Sequence, residues 1–238
     1  MELSIVQWQG NFAYFALRFL FSRRAATSFD KQLYLMELVG EEDWHFNLAS
    51  GLLSFGQHLH FQAQVLGTES DHDHTWLWAW ANEGSNIPFS LLQCALQLKA
   101  LGEKQQIPEL TTPMLQLGDI DGHTLAMLAS GVCQANAYYR CPYEGGAAFV
   151  LIQDESFPKP TEPPLARIAS VFPQAISSID IPDHRLALIG HLDHHGLVYE
   201  EVVGQVLVKE NGEPVLTAVF DEQNRLTNLE VQVQAATR

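Results

Sequence analysis

Residues 75–81 read Thr-Trp-Leu-Trp-Ala-Trp-Ala, with an indole at every second position. In an extended strand this spacing puts Trp76, Trp78 and Trp80 on one face, and Thr75, Leu77, Ala79 and Ala81 on the other. Three indoles bury roughly 600 Å², about the largest apolar patch a monomer leaves in water. At 25 cal/mol per Å² their burial is worth about 15 kcal/mol before entropy is counted. Both faces therefore need cover, and the segment is predicted to be a central strand of a sheet.

The rest of the chain supplies the material for such a fold. It has 238 residues, of which 47% are hydrophobic and 17% charged, enough to form a sizeable core. The segment from Asn11 to about Val39 repeats apolar residues at mixed spacings of three and four, among them Phe12, Phe15, Phe19, Leu20, Leu33 and Met36. This predicts a helix or helix pair ending at Gly40. The period then changes to two. Trp44, Phe46 and Leu48 alternate with polar partners, Ser50-Gly51 turns the chain, and Leu52 to Phe55 begins the return of a hairpin. Leu59, Phe61, Ala63 and Val65 share one face of the clearest strand, which the loop 67–74 joins to the tryptophan strand.

A helix is expected from Pro88 to Leu101 with Gly102 at its end, then another capped by Asp121 and running through Tyr139, then a strand after the turn at Glu144-Gly145-Gly146. Residues 156–164 hold four prolines in nine positions and mark a boundary that neither helix nor central strand crosses. Beyond it come helices near Leu165–Phe172 and Asp183–His195, then three or four strands joined by tight turns, the last over 225–233. The expected class is α+β, helices packed on antiparallel sheets in two helix-plus-meander regions. The N-terminal domain covers residues 1–155, a Pro-rich linker 156–164, and the C-terminal region 165–238.

Several of these segments, Trp-His-Phe-Asn-Leu-Ala-Ser-Gly, the tryptophan strand and Tyr-Tyr-Arg-Cys-Pro-Tyr-Glu-Gly-Gly, resemble a bacterial family of domains of unknown function. Its hallmark is a Trp-Leu-Trp-Ala-Trp-Ala-Asn strand. The resemblance covers residues 40–152. It implies a bacterial, cytosolic protein and supplies no catalytic residues.

A net charge of −15 opposes binding to phosphate backbones and anionic membranes, so neither nucleic acid nor membrane is an expected partner. Arg18 interrupts the apolar N-terminal run and no basic segment precedes it, so neither a signal peptide nor a membrane span is read there. Three cysteines without CxxC spacing read as reduced, buried thiols. No nucleophile elbow, HExxH, Walker loop or GxGxxG occurs.

The densest polar group is Glu69, Asp71, His72, Asp73 and His74, with His58 and His60 on the preceding strand. Imidazole with carboxylate is a ligand set for Zn or Fe, which makes His72, His74, Asp71 and Asp73 candidate metal ligands. Turns favour Asp and polar residues for their own reasons, so a solvated loop is the first reading, and no metal or cofactor is expected. His191, His194 and His195 cluster at the end of a helix, where positive charge complements the dipole; the pair three apart could join Asp193 or the first cluster. Glu41-Glu42 and Glu200-Glu201 are neighbours, which on an extended chain face opposite ways and read as solvated. Asp119, Asp121 and His123 precede a helix, and capping accounts for Asp121.

Strand ends and the loops after them are where sites tend to stand, so Trp80, Asn82 and Glu83 are the candidate ligand contacts. A buried indole N–H needs an acceptor, which would tie Trp80 to Asn82 or to a neighbouring histidine. The leading expectation is a non-enzymatic binding or protein-interaction module with a basic protein partner or a small molecule. A metal-dependent hydrolase using His72 and His74 comes second, and an oligomeric structural protein third.

Overall fold

The computed structural model describes residues 5–232, with side chains over 16–232. The side chains of Phe12 and Phe15, and Val233 at the end of the last expected strand, lie outside the described residues. Among those described there are six α-helices and two antiparallel sheets of seven and four strands, an α+β fold. No described helix is long and apolar enough to cross a membrane. The chain forms two compact units. One takes Lys31–Pro158 with the chain up to Arg18; the other takes Lys159–Arg238 together with Phe19–Asp30.

The first 35 helical residues form one helix, α1 (Ile5–Val39), rather than a pair, and Gly40 follows it at φ 56°. In the first unit the seven-stranded sheet is built on β3 (Leu59–Ser70). Along one edge β3 pairs with β2 (Leu52–Phe55) and then β4 (Thr75–Trp78), while β7 (Gly146–Ile152) pairs with it over Ala63–Ser70. The outer strands are β1 (Trp44–Asn47) on β2, β5 (Met114–Gln116) on β4 and β6 (Ala137–Tyr143) on β7. Leu35 and Val39 of α1 pack with Leu53, Phe55, Phe61, Val150, Ile152 and Phe157 in one core.

The strand expected to end at Gly67 continues to Ser70, so the turn shrinks to residues 71–74. The tryptophan strand is shorter. Trp76 and Trp78 are fully buried and in edge-to-face contact at 5.4 Å, but residues 79–81 form a 3-10 turn, so Trp80 leaves their face. The ladder to β3 ends at the Gly67–Trp78 pair, beside a shift in β3's register with β7 between Val65 and Gly67, and alternation has no support beyond it. Helix α2 runs Gln93–Gln105 after a 3-10 turn at Phe89–Leu91 and before the single turn α3 (Pro108–Thr111), with Gly102 inside α2. A Cβ there would meet Leu110 at 2.6 Å, so this glycine serves close packing and not a helix end. Asp121 does cap α4 (Gly122–Val132), accepting from the Thr124 N–H at 2.7 Å, but residues 137–143 are strand β6 and not more helix.

In the second unit, α5 (Pro164–Ser178) and α6 (His184–His194) precede a meander of β8 (Tyr199–Val202), β9 (Gln205–Glu210), β10 (Glu213–Phe220) and β11 (Leu226–Val231). Each strand pairs with the next, as the tight-turn spacing predicts. Residues 19–30 of α1 contribute Phe21, Ala25 and Ala26 to its buried set, with Phe172, Leu188 and Leu192 from α5 and α6.

Candidate functional site

The turn after β3 does not gather its four expected ligands. His72 Nδ1 lies 2.8 Å from Asp73 Oδ1, with both side chains mostly in solvent. Asp71 stands 3.6 Å from Arg140, and His74 takes a left-handed φ of 51° while its carbonyl accepts from Gln116. His58 and His60 stand at the opposite end of β3. At about 3.3 Å per residue they are on the order of 35 Å from the turn, too far to join it. His60 instead contacts Ser54 Oγ at 2.9 Å.

Trp80, Asn82 and Glu83 lie along the two short 3-10 turns after β4. Trp80 is partly buried beneath Lys99, whose Nζ sits 4.3 Å from the ring centroid. Its indole N–H is buried and finds no acceptor; the Asn82 side-chain oxygen Oδ1 accepts from the Ser85 N–H at 3.2 Å. Glu83 is exposed. The cysteines are buried free thiols, and burial pushes Cys141 up to about 12, which keeps it protonated at neutral pH.

Two other places concentrate charge. The first is a cleft of about 500 Å³ in the first unit, lined by the end of α1 and by residues 55–59. Glu37, Glu41 and Glu42 border it, and Leu38, Val39, Phe55 and Leu59 supply the apolar part of its lining. Glu41 and Glu42 are both exposed, as expected of solvated positions, and because they follow α1 and do not lie on a strand, both border one cleft. The negative end of the α1 dipole falls at the same place. Neither Glu41 nor Glu42 makes an ion pair with a described residue, and the cleft's one basic side chain is His58. By contrast, Glu200 and Glu201 are held by Lys209 and Arg185.

The second place lies inside the second unit. Asp30 of α1 is 5% exposed. Its Oδ1 accepts from Arg167 Nε at 2.6 Å, and its Oδ2 contacts His191 Nε2 at 3.0 Å and His195 Nε2 at 3.4 Å. Arg167 Nη1 also stands 3.5 Å from Glu162. Burial alone would raise the Asp30 pKa, but the His191 hydrogen bond, the adjacent His195 imidazole and Arg167 outweigh it and hold the carboxyl far below the usual carboxylate range. Burial drives His191 below the ordinary imidazole value against the pull of Asp30, so its neutral form is favoured. Neither His191 Nδ1 nor His195 Nε2 has a hydrogen-bond partner, though both atoms are buried. Among the described residues, Asp30, His191 and His195 are the one group of three such side chains whose ligand atoms lie within 4.8 Å of one another. The sequence shows the histidines but not Asp30, which lies some 160 residues away (|i−j| = 161 for His191). Asp193, the acid beside them in sequence, pairs with Arg23 at 2.6 Å.

Fold and geometry together define an α+β protein with a carboxylate-rimmed cleft in one unit and a buried carboxylate–imidazole cluster in the other. Within that class, the chain belongs to the Family of unknown function (DUF6882), which matches residues 18–155. Neither a curated protein nor a solved structure matches it. The matched stretch contains every residue of the cleft and Asp30, and it stops short of His191 and His195.

Proposed function

We propose that this chain is a non-enzymatic binding module whose cleft between the end of α1 and residues 55–59 receives a basic side chain of a protein partner. The observation that carries the reading is the cleft's composition: carboxylates at the rim, a lining that is apolar in part, and a helix C-terminus at its edge. A lysine or arginine has the matching form, an aliphatic stem with a cation at its tip. The volume of about 500 Å³ is in the range of ligand-binding clefts. That every lining residue falls inside the family's matched segment supports placing the shared function there. The net charge of −15 would speed encounter with a basic partner and disfavours nucleic acid and anionic membrane as partners.

Capture from a lysate at low and high salt tests the reading, using the full chain and a Glu41→Gln, Glu42→Gln variant. Basic proteins should be retained at low salt, released at high salt, and held about tenfold or more weakly by the variant, since loss of about 1.4 kcal/mol is tenfold. Equal retention by both chains would assign the binding to diffuse surface charge, and a small cationic molecule in place of a protein would change the partner but not the site.

A further inference from the structure

We propose that Asp30, His191 and His195 form a binding site for a divalent transition-metal ion of the zinc class, held within the second unit. Two imidazoles and one carboxylate are the donor set such ions prefer, whereas calcium and magnesium call for oxygen ligands. His191 and His195 are four residues apart at the end of α6, the spacing that brings two imidazoles to one helix face.

Distances agree with that donor set. Metal–nitrogen and metal–oxygen bonds of about 2.1 Å imply ligand–ligand edges of about 3.0 Å in octahedral and about 3.4 Å in tetrahedral geometry. The two edges at Asp30 Oδ2 are 3.0 and 3.4 Å. Arg167 occupies Oδ1, so Asp30 offers the ion one oxygen and is oriented by a partner outside the ligand set.

An independent observation points the same way. His195 Nε2 is buried, without a hydrogen-bond partner, and 3.4 Å from the oxygen it would share an ion with. An unpaired buried nitrogen costs about 1–3 kcal/mol, a cost that coordination removes. The charges also permit an ion. Asp30 and Arg167 cancel, and Glu162 stands beside Arg167. The His195 side chain is 16% exposed, which leaves an edge for entry and for water to complete the sphere. Such an ion would join residue 30 to the end of α6, two segments of the second unit that are distant in sequence.

The test uses the full chain without a histidine tag, stripped by chelator and titrated with Zn²⁺, then with Co²⁺ as a visible-absorption probe. One ion per chain is expected, with Co²⁺ absorption showing nitrogen ligation and a rise in melting temperature on Zn²⁺ addition. His195→Ala should weaken binding at least about 100-fold, while a His72→Ala, His74→Ala variant should bind as the parent does. His195 ends α6 through its backbone N–H, which donates to the His191 carbonyl whatever the side chain, so its replacement should leave the metal-free fold intact; His195→Gln serves if the alanine variant does not fold. Absence of stoichiometric binding by the parent, retention by both folded His195 variants, or loss through His72 and His74 would each overturn the proposal.

Discussion

A carboxylate taken out of water costs several kcal/mol unless charges and hydrogen bonds replace its hydration. Asp30 has both, in Arg167 on one oxygen and imidazole on the other. The same burial that makes this pairing strong keeps His191 neutral. A base with a lowered pKa in the folded state binds its proton first in the unfolded chain, near pH 6.5. Its contribution is therefore present above about pH 6.5 and lost as pH falls below that value, by at most about 1.4 kcal/mol per pH unit. Asp30, lowered as an acid, loses its contribution in a more acid window, below about pH 4. His184 is also lowered, by burial and by Arg225, and adds to the wild-type trend. Denaturant unfolding of the metal-free chain between pH 7.5 and pH 5, with His191→Gln alongside, should give a shallower loss in the variant; parallel curves would remove His191 from the account. The histidine cluster was legible in sequence but its partner was not, because histidines at a helix end have a sufficient explanation in the dipole and their real partner is Asp30.

At the scale of elements, α6 lies unusually close to α1 within the second unit. A Cβ on Gly190 would run into the backbone carbonyl of Arg23, and Thr27 Oγ1 donates to the Gly190 carbonyl at 3.3 Å. Gly190→Ala should therefore force the two helices apart and destabilise by about 1–3 kcal/mol, measured by thermal or denaturant unfolding; a neutral result would mean that the contact yields. Elements defined by local pattern were readable. The alternation at Trp44 and Phe46, the Asp121 cap and the C-terminal meander follow from spacing and turn chemistry, and each is present. Elements settled by distant partners were not. Strand β4 ends where β3 stops pairing with it, and Gly102 looks like a helix end in sequence but is a packing surface for Leu110. The cleft was hidden for the same reason: Glu41 and Glu42 are solvated, as they read, but only the fold brings Phe55, His58 and Leu59 beside them. Nor does periodicity reveal that residues 19–30 of one continuous helix belong with residues 159–238.

For the whole molecule, 28 acidic against 13 basic residues make attraction to any polycation unavoidable, so affinity alone says little about a site. Long-range attraction of this kind is screened beyond about 8 Å at physiological ionic strength, whereas a cation seated in a cleft beside carboxylates is screened less. Location is thus the discriminating observation. The most direct measurement follows backbone amide chemical shifts of the full chain on titration with a short arginine-rich peptide at physiological salt, for the parent and for Glu41→Gln, Glu42→Gln. A cation seated in the cleft predicts saturable shifts concentrated at Gly40, Glu41, Glu42, His58 and Leu59, and their loss in the variant. Shifts spread over both units, or shifts that persist at the same positions in the variant, would contradict it.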